Sequence, residues 1–451
     1  MGHYDNIQNI YFIGIGGIGM SALARYFSAR GKNVSGFDKT ETQLTRELQK
    51  EGIEVITSPK VEDLPDAILE DKQSLIVYTP AIPLDHAQYL HFAADGYTME
   101  KRAAVLGNLT KGHFTLAVAG THGKTTTSSM LAHLLKVTGS SITAFLGGIA
   151  ENYHSNLILD GDKAMVVEAD EFDRSFLKLA PNIAAITSMD ADHLDIYGED
   201  SQIKESFNAF AALVPKDGKL FYANALPLKG TSVGVNDDAD IAAVNIGVKN
   251  GSYHFDLRTK DKTYTGFELS LPGKHNLQNA VTALAMAMEY GAPPEFLATA
   301  LASFKGVQRR FSYRIKRDDL VLIDDYAHHP AEIAAVHQAV QEMHPGKRVL
   351  AVFQPHLFSR TRDFAEGFAD SLNLFDELLL MDIYPAREKP IDGISSEWLL
   401  KMIKNDKKEL VQKEDLSEVI KAKKAEVVVL MGAGDIGEEV EKIRKELSGE
   451  N

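Results

Sequence analysis

Thr115-Leu116-Ala117-Val118-Ala119-Gly120-Thr121-His122-Gly123-Lys124-Thr125-Thr126 runs from an apolar strand through a glycine-containing loop into a helical pattern. The residue types match what a triphosphate demands. Backbone N–H groups cradle phosphate oxygens, Lys124 places a point charge on the β and γ phosphates, and the Thr125 hydroxyl can bind Mg2+. Val118 stands where a full Walker A loop has its first glycine, but Gly-Lys-Thr is intact. The stretch argues for a parallel α/β domain that hydrolyses ATP or transfers its phosphoryl group, with Gly120, Thr121, His122, Gly123, Lys124, Thr125 and Thr126 as the nucleotide loop.

A second loop, Gly14-Ile15-Gly16-Gly17-Ile18-Gly19, follows an apolar strand at Ile10 to Ile13 and precedes a helical pattern from Ser21 to Arg30. Glycines there let backbone approach a diphosphate at a helix N-terminus, and Asp38, ending the next strand, is placed to hydrogen-bond a ribose or base edge. Read alone, the loop says dinucleotide-binding domain. A dehydrogenase has no use for a γ-phosphate site, however, so two cradles in separate domains point to a different diphosphate ligand at the first, such as a nucleotide-sugar substrate.

Outward from these loops the chain repeats an α/β alternation. One run covers the first hundred residues, a second begins at Thr115, and a third resumes with strands at Val321 to Ile323, Val349 to Phe353, Glu377 to Met381 and Val427 to Leu430. Between Ala239 and Leu271 short strands with polar turns suggest an antiparallel insertion before a helix near Asn276. The expected fold is α/β in three domains: Rossmann-like at 1–107, P-loop central with the insertion at 108–313, and Rossmann-like at 314–451. A length of 451 residues, 44% of them hydrophobic, suffices for that many cores.

The net charge of −15 disfavours nucleic acid as a partner, because that binding needs Lys and Arg to neutralise phosphates. The apolar run at Tyr11 to Ile18 lacks a basic flank and is no signal peptide, and no run reaches the ~18 residues that a membrane helix needs. The chain has no cysteine, which excludes disulfides and thiolate metal sites. A cytoplasmic location without membrane insertion is expected.

Acidic strand ends supply candidate metal ligands: Val166-Val167-Glu168-Ala169-Asp170-Glu171 and Met189-Asp190-Ala191-Asp192-His193-Leu194-Asp195. Further stretches are Gly273-Lys274-His275-Asn276-Leu277-Gln278-Asn279, where Asn276 could be a helix N-cap, Arg309-Arg310-Phe311, Asp324-Asp325-Tyr326-Ala327-His328-His329-Pro330, and Gln354-Pro355-His356-Leu357-Phe358-Ser359-Arg360. Spacing alone assigns these no job. A metal site built only from His328 and His329 is disfavoured, since sequence neighbours do not share a face.

Taken together and in order, these stretches, with the terminal Gly432-Ala433-Gly434-Asp435-Ile436-Gly437, resemble the Mur ligases of peptidoglycan synthesis over essentially the whole chain. The resemblance implies an N-terminal domain for the UDP moiety (Gly14, Gly16, Gly17, Gly19, Asp38), a central ATP domain, and a C-terminal domain that binds the amino acid and closes. It implies Thr125, Glu168 and His193 around Mg2+ or Mn2+, Asn276 at the adenine, Asn279 and Arg310 at the phosphates, and Asp325 on the ribose side. Tyr326, His328, His356 and Arg360 would form the amino-acid pocket, with Arg360 suited to fork onto its carboxylate. Lys124, His193, Arg310 and His328 would be catalytic, His328 as the base.

The implied substrates are UDP-N-acetylmuramate, ATP and L-alanine, joined through an acyl phosphate; recycling of a murein tripeptide onto the same acceptor is the alternative. Where several Mur ligases carry a carbamylated lysine this sequence has Phe207, which argues against a carbamate-bridged second metal. The sequence leaves open monomer or homodimer.

Overall fold

The computed structural model describes residues 3–83, 85–189, 200–249, 251–386 and 388–449. The expected metal residue His193, with Asp190, Asp192 and Asp195, lies outside the described residues. The chain forms two compact units: Met1–Ile246 with His254–Glu268 and Gln278–Lys305, and Gly247–Tyr253 with Leu269–Leu277 and Gly306–Asn451.

The first unit opens with a five-stranded parallel sheet in the order Glu54–Ile56, Asn33–Phe37, Asn9–Ile13, Leu75–Tyr78, Thr98–Lys101. Ile10, Tyr11, Phe12 and Ile13 are wholly buried, which is why that strand reads as a continuous apolar run rather than an alternation. Strand order reverses around Asn9–Ile13, so the glycine loop that follows it stands at the topological switch point where such sheets take ligands. The next helix spans Ile18–Ala29 and starts earlier than its apolar pattern suggests, because Gly17 is extended and ends the loop.

A second sheet restarts with Phe114–Ala119, flanked in parallel by Ala164–Glu168 and Ile183–Ile186. Its full order is Thr263–Leu269, Ser252–Arg258, Ile241–Lys249, Thr231–Val235, Lys219–Ala223, Ile183–Ile186, Phe114–Ala119, Ala164–Glu168, Ile142–Ala150, Ser155–Leu159. Parallel register puts Glu168 beside Val118, so the acidic strand end and the start of the Lys124 loop share one edge. The expected insertion extends this sheet: Ile241–Lys249 pairs in parallel with Thr231–Val235, and the connections onward are too short for a parallel crossover.

In the second unit six strands run Ser312–Lys316, Val321–Asp325, Val427–Met431, Val349–Phe353, Glu377–Leu380, Lys408–Leu410, parallel except for the first. Between strands Val349–Phe353 and Glu377–Leu380 the chain forms two helices, Phe358–Asp363 and Ala365–Leu372, separated at Phe364, whose φ of −114° is not helical. The helix expected near Asn276 begins at Lys274, so Asn276 lies inside its first turn and is not the N-cap.

Helix Arg102–Thr110 links the two sheets of the first unit, and Gly107 inside it approaches the backbone at Lys178. Replacing an interior helical glycine by alanine gains about 1 kcal/mol from propensity. Here the added Cβ would lie 2.5 Å from the Lys178 carbonyl oxygen, and relieving that overlap costs about 1–3 kcal/mol. The clash wins, so Gly107→Ala is expected to lower Tm in thermal unfolding; an unchanged or higher Tm contradicts this packing.

Candidate active site

The central loop is held in shape by the strand beside it. Gly120 has φ 139°, and a Cβ there would lie 2.1 Å from Thr187 Oγ1, so only glycine fits. Thr187 Oγ1 donates to His122 O at 2.5 Å, and the His122 N–H donates to Ser188 Oγ at 2.7 Å, which also meets Thr121 Oγ1 at 2.8 Å. Gly123, at φ 83°, caps helix Lys124–Val137, and a Cβ on it would lie 2.5 Å from Asn279 Oδ1. Asn279 is thus brought against the loop. Thr125 and Thr126 occupy the first turn of that helix.

The Lys124 ammonium donates to Gly120 O at 2.7 Å and pairs with the Glu171 carboxylate at 2.8 Å. Both are shielded from water, with Glu171 2% exposed. An ion pair this dry has given up much of its hydration. A phosphate arriving at Lys124 therefore meets a cation that has already shed water and needs only to exchange its counter-ion.

Glu168 ends its strand facing Gly147, whose N–H donates to Oε2 at 3.1 Å; a Cβ at Gly147 would fall 2.2 Å from that oxygen. The missing side chain leaves the space the carboxylate fills. The oxygen donors Thr125 and Glu168 suit a hard cation such as Mg2+. Among the described residues no cluster of three His, Cys, Asp or Glu forms a metal site. Phe207 is fully buried with its ring 5.4 Å from that of Phe176, so it belongs to the core.

At the N-terminal loop, Gly14 has φ 91°, its N–H and that of Ile15 donate to Phe37 O, and the Gly16 N–H donates to Asp38 Oδ2 at 2.9 Å. These bonds occupy the Gly14 and Gly16 amides and Oδ2 of Asp38. They shape the loop, and what they present is the first turn of Ile18–Ala29, whose amides have no partner within the helix. Gly17 keeps an open side, with no atom closer than 3.6 Å to where a Cβ would be. Gly19 does not: a Cβ there would lie 2.8 Å from Arg102 Nη1.

Arg102 was not among the expected residues, and it lies beside Gly19. Its Nη2 lies 3.5 Å from Asp170 Oδ2, so one guanidinium touches both the N-terminal helix start and the acidic run that contains Glu168. A small cavity lined by Arg102, Leu106, Glu168, Asp170, Ser175 and Phe176 opens beside it. Glu171, Thr187 and Ser188 are likewise additions; only Glu171 falls within a quoted run, and nothing local marks the others.

The second unit gathers Tyr326, His328, His356 and Arg360. The His328 ring lies edge-on to Tyr326 at 5.3 Å and to His356 at 6.3 Å, and Arg360 Nη1 is 3.5 Å from His356 Nδ1. Tyr384 stacks on His356 at 5.7 Å. Arg309 and Arg310 stand 5.1 and 5.3 Å from the Tyr326 ring centroid. Arg310 is bracketed by Arg309 at φ 59° and Phe311 at φ 51°, left-handed backbone that non-glycine residues adopt at a cost of about 1–3 kcal/mol each.

Asp325, expected beside a ribose, is buried with Oδ2 taken by the Phe311 N–H and Oδ1 by the Ala327 N–H, each at 2.7 Å. Its first task is to hold those two backbone turns around Arg310 and Tyr326. Burial pushes its carboxyl up to about 6, against the pull of Arg310 and the two amides. His329 caps helix Pro330–Met343, closing a capping box with Glu332. Asn276, in this unit, donates from Nδ2 to Pro272 O at 2.7 Å.

His328 carries the clearest chemical signature. Nδ1 lies 2.9 Å from Tyr326 O and 3.3 Å from Glu332 Oε2, both acceptors, so the proton is on Nδ1 and the Nε2 lone pair is open to accept one. Burial lowers its pKa; Glu332 opposes this, and Arg360 and Arg310 add to the lowering.

Domain models fall along the chain in order: "Mur ligase family, catalytic domain" matches residues 9–114, "Mur ligase middle domain" 118–287, and "Mur ligase, glutamate ligase domain" 309–434. The UDP-N-acetylmuramate–L-alanine ligase of Christiangramia forsetii is 63% identical over 444 residues, covering 98% of each chain. The ligase of the same name from Parabacteroides distasonis is 48% identical, with 98% of this chain and 97% of that one aligned. Among solved structures, the UDP-N-acetylmuramate-alanine ligase of Thermotoga maritima superposes with a TM-score of 0.85 at 28% identity, covering 98% of this chain and 100% of that one. A murein peptide ligase of Psychrobacter arcticus shares the fold at a TM-score of 0.69 and 23% identity, over 98% of each chain. With one family's domains following each other along these strands and loops, and relatives this similar over nearly the full length, the chain belongs to the Mur ligase family.

Proposed function

We propose that this protein joins L-alanine to UDP-N-acetylmuramate, driven by ATP, as a step in building peptidoglycan precursors. The observation that carries the reading is Arg102: one side chain reaches from the first turn after the N-terminal glycine loop to the acidic strand end beside the Lys124 loop. A nucleotide-linked acid at the first loop and a triphosphate at the second then face the same guanidinium. Relatives named for this reaction, at identities up to 63%, support the choice of substrates.

The chemistry follows from the inertness of a carboxylate, whose oxygen must become a leaving group before an amine can displace it. A muramate carboxylate oxygen attacks the γ-phosphorus in line, the new P–O bond forms as the bond to ADP breaks, and Lys124 spreads the developing charge. Thr125 and Glu168, with His193, would hold Mg2+ or Mn2+, which supplies charge neutralisation between the phosphates. Arg102 is suited to steer the muramate carboxylate, and Asn279 to fix the loop at Gly123.

Arg360 pairs with the alanine carboxylate while Tyr326 and His356 flank it. His328 Nε2 takes the ammonium proton, so the neutral amine attacks the acyl carbon and phosphate departs from the tetrahedral intermediate. The reaction needs a compartment that supplies ATP and a UDP-sugar acid, which we take to be the cytoplasm. No helix among the described residues is long and apolar enough to cross a membrane.

Phosphate release with UDP-N-acetylmuramate, ATP and Mg2+ tests the assignment. It is expected to require both the acceptor and L-alanine, with weaker turnover for L-serine and glycine, whose side chains differ little in binding energy. Release with the murein tripeptide but not with alanine contradicts the proposal. The base is tested by pH. Because Glu332 raises the pKa of His328, Glu332→Gln is expected to move the acid limb of kcat/KM for alanine to lower pH. A shift to higher pH, or none, removes His328 from that role.

A further inference from the structure

Strands Ile142–Ala150 and Ser155–Leu159 form an antiparallel hairpin at the edge of the central sheet, and its two strands touch different sites. The first strand carries Gly147, whose N–H holds the Glu168 carboxylate. The second carries Asn156, fully buried and with its amide group satisfied entirely by the N-terminal helix. Asn156 Nδ2 donates to Ile18 O at 2.5 Å and to Ser21 Oγ at 2.9 Å, and Oδ1 accepts from Arg25 Nη1 at 2.5 Å.

Arg25 continues the chain of contacts. It is 8% exposed, donates from Nη2 to Glu51 Oε1 at 2.7 Å, and stands 3.5 Å from Glu47 Oε2. Glu47 lies in helix Gln43–Lys50 and Glu51 is its C-cap; the Thr45 methyl of that helix lies 2.8 Å from where a Cβ on Gly16 would be. The network therefore grips the glycine loop from both sides, at Ile18 and at Gly16. Between the two polar ends, the rings of Tyr26 and Phe145 pack 5.3 Å apart, so the hairpin and the helix share a dry contact.

Simple glue between two sheets needs no such placement, since a buried asparagine anywhere along Ile18–Ala29 would serve. This one ends on the first turn, where the helix meets its ligand. We propose that Asn156 is a positioning residue that ties the first turn of helix Ile18–Ala29 to the hairpin holding Glu168, so that acceptor binding at the glycine loop and nucleotide binding at the Lys124 loop strengthen each other. The proposal rests on the reading of Gly14 to Gly19 as the cradle for the acceptor's diphosphate. Truncating Asn156 leaves a buried guanidinium and a helix carbonyl short of partners, and the first turn is free to drift from Glu168.

The test is calorimetric binding of UDP-N-acetylmuramate to the full-length protein, with and without saturating Mg-ADP, for the natural chain, Asn156→Ala and Arg25→Lys, with Tm measured in parallel. Arg25→Lys keeps the charge beside Glu47 and Glu51 but loses the Nη1 bond to Asn156, along with the planar fork on Glu51. The natural chain is expected to bind the acceptor more tightly when Mg-ADP is present. Both variants are expected to bind it at least about tenfold more weakly with Mg-ADP present, a change of about 1.4 kcal/mol, and to lose most of the enhancement. Their affinity for Mg-ADP alone and their KM for L-alanine should stay within about twofold.

A lower Tm with acceptor affinity and enhancement unchanged would make Asn156 structural glue and overturn the proposal. If Asn156→Ala does not fold, Arg25→Lys decides by the same criteria. Failure of the natural chain itself to bind UDP-N-acetylmuramate would instead refute the assignment of the glycine loop, a result distinct from loss of enhancement alone.

Discussion

One guanidinium, that of Arg102, sits against Gly19 and 3.5 Å from Asp170, and it bridges the start of the N-terminal helix and the acidic run beside the Lys124 loop. A chain with a net charge of −15 cannot attract anions by its overall field, so each phosphate must be met by local features. Two glycine loops at helix starts provide dipoles and amides, but neither alone brings its ligand to the other. Arg102 opens the helix that connects the two sheets, and Gly107, one and a half turns later, lets the same helix settle on the Lys178 backbone. The side chain that joins the loops is thus anchored by close packing on a rigid element, and a charge proposed to orient a reacting carboxylate benefits from such support.

The second unit solves a different problem, that of keeping an imidazole neutral among cations. Arg309 and Arg310 stand over Tyr326, with Arg360 beside His356; burial, with the charges of Arg360 and Arg310, holds the His328 pKa below its ordinary value. Glu332 limits the effect and accepts the backbone N–H groups of His328 and His329. Asp325, buried below them, spends its carboxylate on the turns at Phe311 and Ala327. In the proposed reaction, cations that suit a substrate carboxylate would also tune the base, linking amino-acid recognition to proton transfer through ordinary Coulombic interaction.

Much of this was legible in the sequence because it is written locally. Strand and helix periods, the two glycine loops, and the acids at strand ends depend on neighbours within a few residues, and they led to the parallel sheets, whereas the grouping of Tyr326, His328, His356 and Arg360 came only from the resemblance to the Mur ligases. What could not be read depends on contacts across long separations. Arg102 looks like one more charge after a short strand until Gly19 and Asp170 are seen beside it. Ser188 and Asn156 are small polar residues without a motif. The inclusion of Asn276 within its helix is decided by packing and backbone geometry that propensity does not encode. The bonds among Gly14, Ile15, Gly16, Phe37 and Asp38 show that a glycine motif can mark the shape of a cradle rather than its donors.

The central claim is that a carboxylate held near the first loop takes the γ-phosphoryl group held at the second before any amide forms. Turnover with both carboxylate oxygens of the muramate group labelled with oxygen-18 tests this most directly, by mass spectrometry of the released phosphate. The account predicts one labelled oxygen in inorganic phosphate and one retained in the amide. Phosphate without label, or label appearing in AMP, would contradict it.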